Sequence, residues 1–278
     1  MSAMSTFRAM HEAGCFVIPN PWDIGSAIFL QHAGFRALAT TSAGFAFSRG
    51  LPDEVLAIPS DMMLAHIAEI VGATSLPVNA DFQSGFAHDL DELARNITAC
   101  CATGVAGLSI EDATGDRAMP PLYPRDVAIQ RIRAARRAID AHAAATSTPP
   151  VVLTARCEAY LAGDSDPAAT SLDRLVAYAD AGADCLFAPA VRDPQTIAAF
   201  VRAVAPKPLN VIVSSSGPGL TVAALADIGV RRISVGSALA RVAWSGFMKA
   251  ARGIAETGTF DALDGAAPFA VFADLFRR

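Results

Sequence analysis

The sequence predicts a (β/α)8 barrel with an extra C-terminal helix. Three observations carry that prediction. Short apolar runs recur along the chain, helix-like segments rich in alanine separate them, and glycine stops fall between the two kinds of segment. Strands that are apolar on both faces and alternate with helices belong to a parallel sheet. Repeating units of this kind over most of a 278-residue chain fit a closed barrel better than an open sheet.

The predicted strands are FVIPN (16–20), ALATTSA (37–43), PVNADF (77–82), GLSIED (107–112), VVLTAR (151–156), CLFAPA (185–190), LNVIVS (209–214) and RRISVGS (231–237). Helix-like segments follow at 23–34, 60–72, 91–104, 126–145, 173–182, 193–204 and 220–229, with another after Ser237. Ser60 and Asp126 read as N-caps, and Gly34, Gly72, Gly104, Gly182 and Gly229 as C-terminal stops. The tail 259–278 reads as an amphipathic helix whose Phe260, Leu263, Phe269, Phe272, Leu275 and Phe276 need a surface to cover, such as a neighbouring subunit. No composition shift or Pro/Gly-rich linker divides the chain, so residues 1–278 are expected to form a single barrel domain.

Composition narrows the function classes. Hydrophobic residues make up 53% and charged residues 18%, a chain with a large core to bury and no disordered character. A net charge of −5 argues against nucleic acid as a partner. No run reaches the roughly 18 apolar residues of a membrane span, and the N-terminus has no signal-like apolar core. The five cysteines show neither CxxC nor zinc-like Cys/His spacing, so reduced thiols in a cytoplasmic protein are expected.

Active sites of such barrels lie at the C-terminal ends of the strands. The residues there are Asn20 and Trp22; Ser42, Ala43, Gly44 and Phe45; Asn79 and Asp81; Glu111 and Asp112; Arg156 and Glu158; Ala188 and Pro189; Asn210; and Gly236 and Ser237. Any one of the acids reads as turn chemistry. Together they read as a site for a hard cation, because carboxylate and amide oxygens without Cys or His suit Mg²⁺. Like charges gathered in one mouth also repel unless a cation or an arginine stands among them.

The strings TTSAGFAFSRGLPD (40–53), VNADFQSGF (78–86), IED (110–112), TARCEAYL (154–161), RLVAYADAGAD (174–184), LNV (209–211) and LADIGVRRISVGSAL (225–239) resemble the isocitrate lyase/phosphoenolpyruvate mutase superfamily. The resemblance implies a Mg²⁺-dependent enzyme, with Mn²⁺ as a substitute, acting on a small 2-oxo or 2-hydroxy carboxylate. Such an enzyme makes or breaks a C–C or P–C bond through an enolate-like intermediate, and assembles as a homodimer or homotetramer that exchanges the last barrel helix. It implies that Asp53, Asn79, Asp81 and Glu111 surround the metal, mostly through water. Arg156, Asp53 and Glu111 would be catalytic. Trp22, Ser42, Ala43, Gly44, Phe45, Arg156 and Asn210 would contact substrate, with the N–H groups of the Ser42–Gly44 segment on a carboxylate.

This chain departs from the pattern in three places. Asn79 stands where the family commonly has Asp. The loop at 113–126 has no counterpart of the lyases' Lys-Arg-Cys-Gly-His run, and Pro189 replaces a His or Glu. The readings carried forward are a Mg²⁺-dependent lyase or decarboxylase, a P–C bond enzyme on phosphonopyruvate-like substrates, and a catalytically silent 2-oxo acid binding protein. A weaker phosphate-barrel reading rests on SSSGPGL (214–220) and VGSAL (235–239) at helix N-termini.

Overall fold

A computed structural model describes residues 2–54 and 57–277. Its strands are β1 (Phe16–Ile18), β2 (Leu38–Ala39), β3 (Val78–Asp81), β4 (Gly107–Glu111), β5 (Val152–Arg156), β6 (Cys185–Phe187), β7 (Leu209–Ile212) and β8 (Arg232–Ser234). All pair in parallel, in the order β1-β8-β7-β6-β5-β4-β3-β2. Between β1 and β2 the ring closes through the Ala39 N–H, which donates to the Pro19 carbonyl at 3.0 Å. Asn20 reinforces this seam: its Oδ1 accepts from the N–H groups of Val235 and Gly236, and its Nδ2 donates to the Thr40 carbonyl. The result is a (β/α)8 barrel.

The helices are α1 (Ala3–Met10), α2 (Ile24–His32), α3 (Ser42–Ser48), α4 (Ser60–Ala73), α5 (Leu90–Ala102), α6 (Arg125–Thr146), α7 (Pro167–Asp180), α8 (Pro194–Val204), α9 (Val222–Asp227), α10 (Ala238–Thr257) and α11 (Phe269–Leu275). Helix starts and stops differ locally from the sequence reading. Pro59, not Ser60, is the N-cap of α4, and Pro124, not Asp126, that of α6, because a proline's extended backbone can end the preceding loop without a side-chain cap. Gly34, Gly104, Gly182 and Gly229 end helices with positive φ, whereas α4 continues through Gly72 to Ala73. The tail is not one helix. A short 3-10 turn at Asp261–Leu263 and the separate α11 replace it, broken across Gly265 to Pro268.

The bottom of the barrel is plugged by α1. Phe7 is fully buried against Phe16, Ile18, Ala106 and Val152. Gly107 has no side chain because that space is taken: a Cβ there would stand 2.6 Å from the Phe7 ring. At the other extreme, α10 buries only Ala240 and leaves Val242 and Phe247 70% and 62% exposed, and Phe269 of the tail is 87% exposed. No helix among the described residues is long and apolar enough to cross a membrane.

Two histidines are held neutral by this packing. His11, on the plug, is pushed down to about 3 by burial and by the adjacent Arg232. His66, stacked on Phe45 at 3.8 Å, is pushed down to about 4 by burial and by Arg49. A depressed histidine stabilises the fold fully above its unfolded value near 6.5, and that contribution is lost as pH falls from there towards the folded value. The expected outcome is a urea midpoint that drops from pH 6.5 to pH 5, with each histidine contributing up to about 1.4 kcal/mol per pH unit. His11→Gln should flatten the slope; an unchanged slope would show that the plug histidine is not buried neutral.

Candidate active site

Alternation along each strand sends every second side chain to the barrel axis. Asn79 and Asp81, Ser109, Arg156, Asn210, and Arg232 and Ser234 line one narrow cavity of about 50 Å³ in the barrel. Glu111 joins the ring at the top of β4, level with Arg156 on β5.

Arg156 is the hub. Its Nε donates to the Glu158 carboxylate, and its Nη1 lies 3.4 Å from both Asp81 Oδ1 and Glu111 Oε2. None of these contacts uses Nη2. Asp81 turns its other oxygen to α3, where Oδ2 accepts from the Ser42 N–H and hydroxyl, each at 3.0 Å. Three carboxylates thus share one guanidinium. Burial pushes the Glu111 carboxyl well above the ordinary range, against the pull of Arg156, and Glu158 is raised for the same reason. Asp53 stands at the rim beside Ser42, and is raised by burial and by the charge of Asp81.

The remaining predicted positions divide. Asn210 is at the axis, but its amide is engaged below, accepting from Arg232 and donating to Ser234. Gly44 N–H donates to the Thr41 hydroxyl, so within the Ser42–Gly44 segment Ala43 alone carries an N–H without an acceptor among the described residues. Phe45 is 1% exposed and stacks on His66 in the core. Trp22 lies outside the barrel cavity, lining a surface groove of about 340 Å³ with Ser48, Trp244 and Phe247. The sequence reading does not single out Arg232, Ser109 or Ser234. The signal that could find the first and last is the period of two: a charged residue two before a serine on an otherwise apolar strand.

Asp112 is not part of the site. It points outward from β4, where its Oδ2 pairs with Arg174 at 2.9 Å and accepts from the Tyr178 hydroxyl at 2.6 Å. Its Oδ1 accepts from the Glu158 N–H at 2.7 Å, which fixes the β5 loop. The buried arginine Arg131 plays the matching part for the β3 loop, donating to the Ser84 and His88 carbonyls. That loop is conformationally costly: Gln83 and Phe86 have φ of 45° and 57°, in the left-handed region. Gly85 is required there, since a Cβ would meet Leu93 at 2.3 Å.

Beside the acids, the β4 loop folds on itself through an Ala113–Leu122 bridge, and Arg117 reaches Glu54 at 3.2 Å. Between this loop, Glu54, Glu158 and Leu161 opens a cavity of about 520 Å³, room for a small acid. No thiol among the described residues lines it; Cys157 is fully buried and pushed up to about 12 by that burial.

The donors fit a hydrated hard cation in kind: carboxylates, plus the buried Asn79 Oδ1, which has no hydrogen-bond partner among the described residues. No three His, Cys, Asp or Glu side chains stand at metal-holding distances among the described residues.

Residues 7–255 match the model of the phosphoenolpyruvate phosphomutase family. A protein of Burkholderia cenocepacia J2315, provisionally described as a lyase/mutase, superposes with a TM-score of 0.91 at 47% identity, covering 99% of this chain and 96% of that one. Escherichia coli 2-methylisocitrate lyase is 32% identical over 184 residues, 64% of this chain and 58% of that protein. An oxaloacetate acetylhydrolase solved with its product oxalate superposes with a TM-score of 0.84 at 26% identity over 99% and 93% of the two chains.

The Asp112 cluster generates a stability prediction. Asp112→Asn leaves the Arg174 charge buried without its partner and should lower unfolding free energy by about 3–5 kcal/mol in urea titrations. Adding Arg174→Leu should recover part of the loss. No destabilisation by the single change would mean that the pair is not buried as described. With its parallel barrel, its axial arginine and acids, and the match across nearly its whole length, the chain belongs to the phosphoenolpyruvate phosphomutase family of the isocitrate lyase/PEP mutase superfamily, a group of lyases and mutases.

Proposed function

We propose that this protein is a Mg²⁺-dependent lyase or decarboxylase of a small 2-oxo or 2-hydroxy dicarboxylate. The observation that carries the reading is Arg156: its Nη2 has no partner among the described residues, while Nε and Nη1 are fixed by Glu158, Asp81 and Glu111. A guanidinium held from behind in this way offers one oriented donor to a substrate carboxylate. The Ala43 N–H at the start of α3 adds a second donor.

Asp81, Glu111, Asp53 and Asn79 would hold Mg²⁺ or Mn²⁺, directly or through water. When bound, the ion supplies Lewis-acid polarisation of the 2-oxo group and charge balance for a developing enolate. The surplus of carboxylates over Arg156 is what such an ion would neutralise. Asn79 contributes an oxygen but no charge, so affinity should be lower than with an aspartate there. The β4 loop carries no Cys, Lys or His, and the thiol nearest the site in sequence, Cys157, is buried away from it. Loss of a positioned acid/base group lowers rates by about 10²–10⁴-fold, so turnover of isocitrate and methylisocitrate should be slow. Loss of CO₂ from an oxaloacetate-like acid needs less, because water can protonate the enolate.

A P–C bond enzyme acting on phosphonopyruvate is the second reading, favoured by the family match. A silent 2-oxo acid binding protein is the third. Oxaloacetate, phosphonopyruvate, isocitrate and methylisocitrate, assayed side by side for product release with Mg²⁺, separate the three. The expected result is activity on oxaloacetate, with Arg156→Lys lowering kcat/KM by about 10–100-fold. Calorimetric Mg²⁺ binding should disappear in Asp81→Ala. Fast methylisocitrate turnover would overturn the preference for an oxaloacetate-like acid, and tight binding of a 2-oxo acid without turnover would favour the binding protein.

The same proposal includes assembly as a homodimer or homotetramer, with α10 and the tail seated on a second copy. The apolar face of Trp244, Phe247 and Met248 is exposed on its own chain. Light scattering should give a multiple of the 28.8 kDa chain mass, falling to the single-chain value in a Trp244→Glu, Phe247→Glu variant. A monomeric wild type would refute it.

A further inference from the structure

Deep in the barrel, Arg232 is 2% exposed and forms no ion pair among the described residues. A guanidinium stays charged at any working pH, and an uncompensated buried charge is costly. Its partners are all neutral. Nε donates to Asn210 Oδ1 at 2.9 Å, Nη2 to Thr154 Oγ1 at 2.9 Å, and Nη1 contacts His11 Nε2 at 3.2 Å. The imidazole is the acceptor in that contact, because its Nδ1 lies 2.7 Å from the Phe7 carbonyl and must carry the proton there. A guanidinium has five N–H groups, so two remain. Ser234 Oγ accepts from Asn210 Nδ2 at 3.1 Å, which leaves its own O–H free to donate.

Arg232 and Ser234 both line the cavity of about 50 Å³ on the barrel axis. The other buried arginine without an acid, Arg131, is a useful contrast. It donates to two backbone carbonyls and lies 4.2 Å from the centre of the Tyr123 ring, and it lines none of the cavities described above. Arg232 has neither an aromatic face nor a carbonyl pair, and it has open space.

We propose that Arg232 and Ser234 form a buried binding site for a small monovalent inorganic anion of halide size. At about 50 Å³ the cavity has room for one such ion and a water and is too small for a dicarboxylate. The ion sits at the Arg232 end, away from Asp81, and a water donating to the unpartnered Asn79 Oδ1 completes the cavity. This inference does not rest on the reaction proposed above.

Bromide is the probe. Crystals of the wild-type protein grown without halide and soaked in bromide should give an anomalous peak at hydrogen-bond distance from Arg232 and Ser234. In solution, protein dialysed into gluconate should gain about 2–4 °C in Tm on exchange to bromide at equal ionic strength. Arg232→Gln should abolish that gain; if it fails to fold, Ser234→Ala, which deletes only the hydroxyl, should weaken it. The proposal is overturned by the absence of the peak, by the same Tm in both salts, or by a bromide response that survives in Arg232→Gln. A third arm adds oxalate at saturation. A bromide peak that persists supports a separate inorganic site, and displacement by oxalate would instead make this cavity an extension of the substrate site.

Discussion

The contact on which the site depends is that between Arg156 and its three carboxylates. Burial opposes the arginine's charge, but Glu158, Glu111 and Asp81 outweigh it and raise its affinity for the proton. Glu111 is 8% exposed, and burial raises its carboxyl well above the ordinary range even with Arg156 pulling the other way. Three carboxyl groups gather around one guanidinium, so the mouth of the barrel is rich in acidic oxygens. Unit charges a few ångströms apart interact by about 4 kcal/mol at the effective dielectric of a protein surface, so each ionised acid here is tied closely to Arg156. The same geometry constrains Arg156: Nε and Nη1 are engaged by the acids, and Nη2 is left without a partner among the described residues.

The other buried polar contacts of the scaffold hold that mouth in shape. Asp112 faces away from the axis, yet it fixes the backbone of Glu158 and so the acid that orients Arg156. Arg131 grips the carbonyls of the β3 loop, which turns through residues in the left-handed region directly after Asp81. Backbone strain of this kind persists where surrounding contacts over-determine it. Here those contacts are an arginine from α6 and the leucine packed under Gly85. Asp81 is therefore placed from two sides, by its loop and by the two hydrogen bonds from Ser42.

The barrel is legible in the sequence because both-face-apolar strands and glycine stops are strong local signals. The acids at the strand ends are legible because the barrel rule says where to look. Other features are not, for physical reasons. Position at a strand end cannot separate the neighbours Glu111 and Asp112: adjacent strand residues face opposite sides, and only the register shows which one enters the axis. Phe45 and Trp22 follow the right strands but fall on a helix and a loop, where the period of two no longer holds. The N-cap positions at Ser60 and Asp126 are displaced by the prolines that precede them. The tail reads as one amphipathic helix because its phenylalanines recur at helical spacing, and the Gly265–Pro268 break outweighs that pattern.

Arg232 shows most plainly what sequence reading misses. An arginine in a strand reads as an edge residue or a surface charge, because the cost of burying it is invisible until the barrel closes around it. Once closed, the barrel holds opposite imbalances at its two ends, with too many carboxylates at the mouth and one uncompensated guanidinium below. Asp81 and Arg232 line the same cavity, so part of each imbalance offsets the other through a low-dielectric interior. Complete cancellation is prevented by hydrogen bonding, since Asp81 is tied to Ser42 at the top while Arg232 is tied to Asn210, Thr154 and the plug histidine below. The two charges are fixed to opposite ends of one channel. The acid-rich mouth and the uncompensated guanidinium below it are therefore parts of a single electrostatic arrangement, and neutralising one end alone would raise the cost of the other.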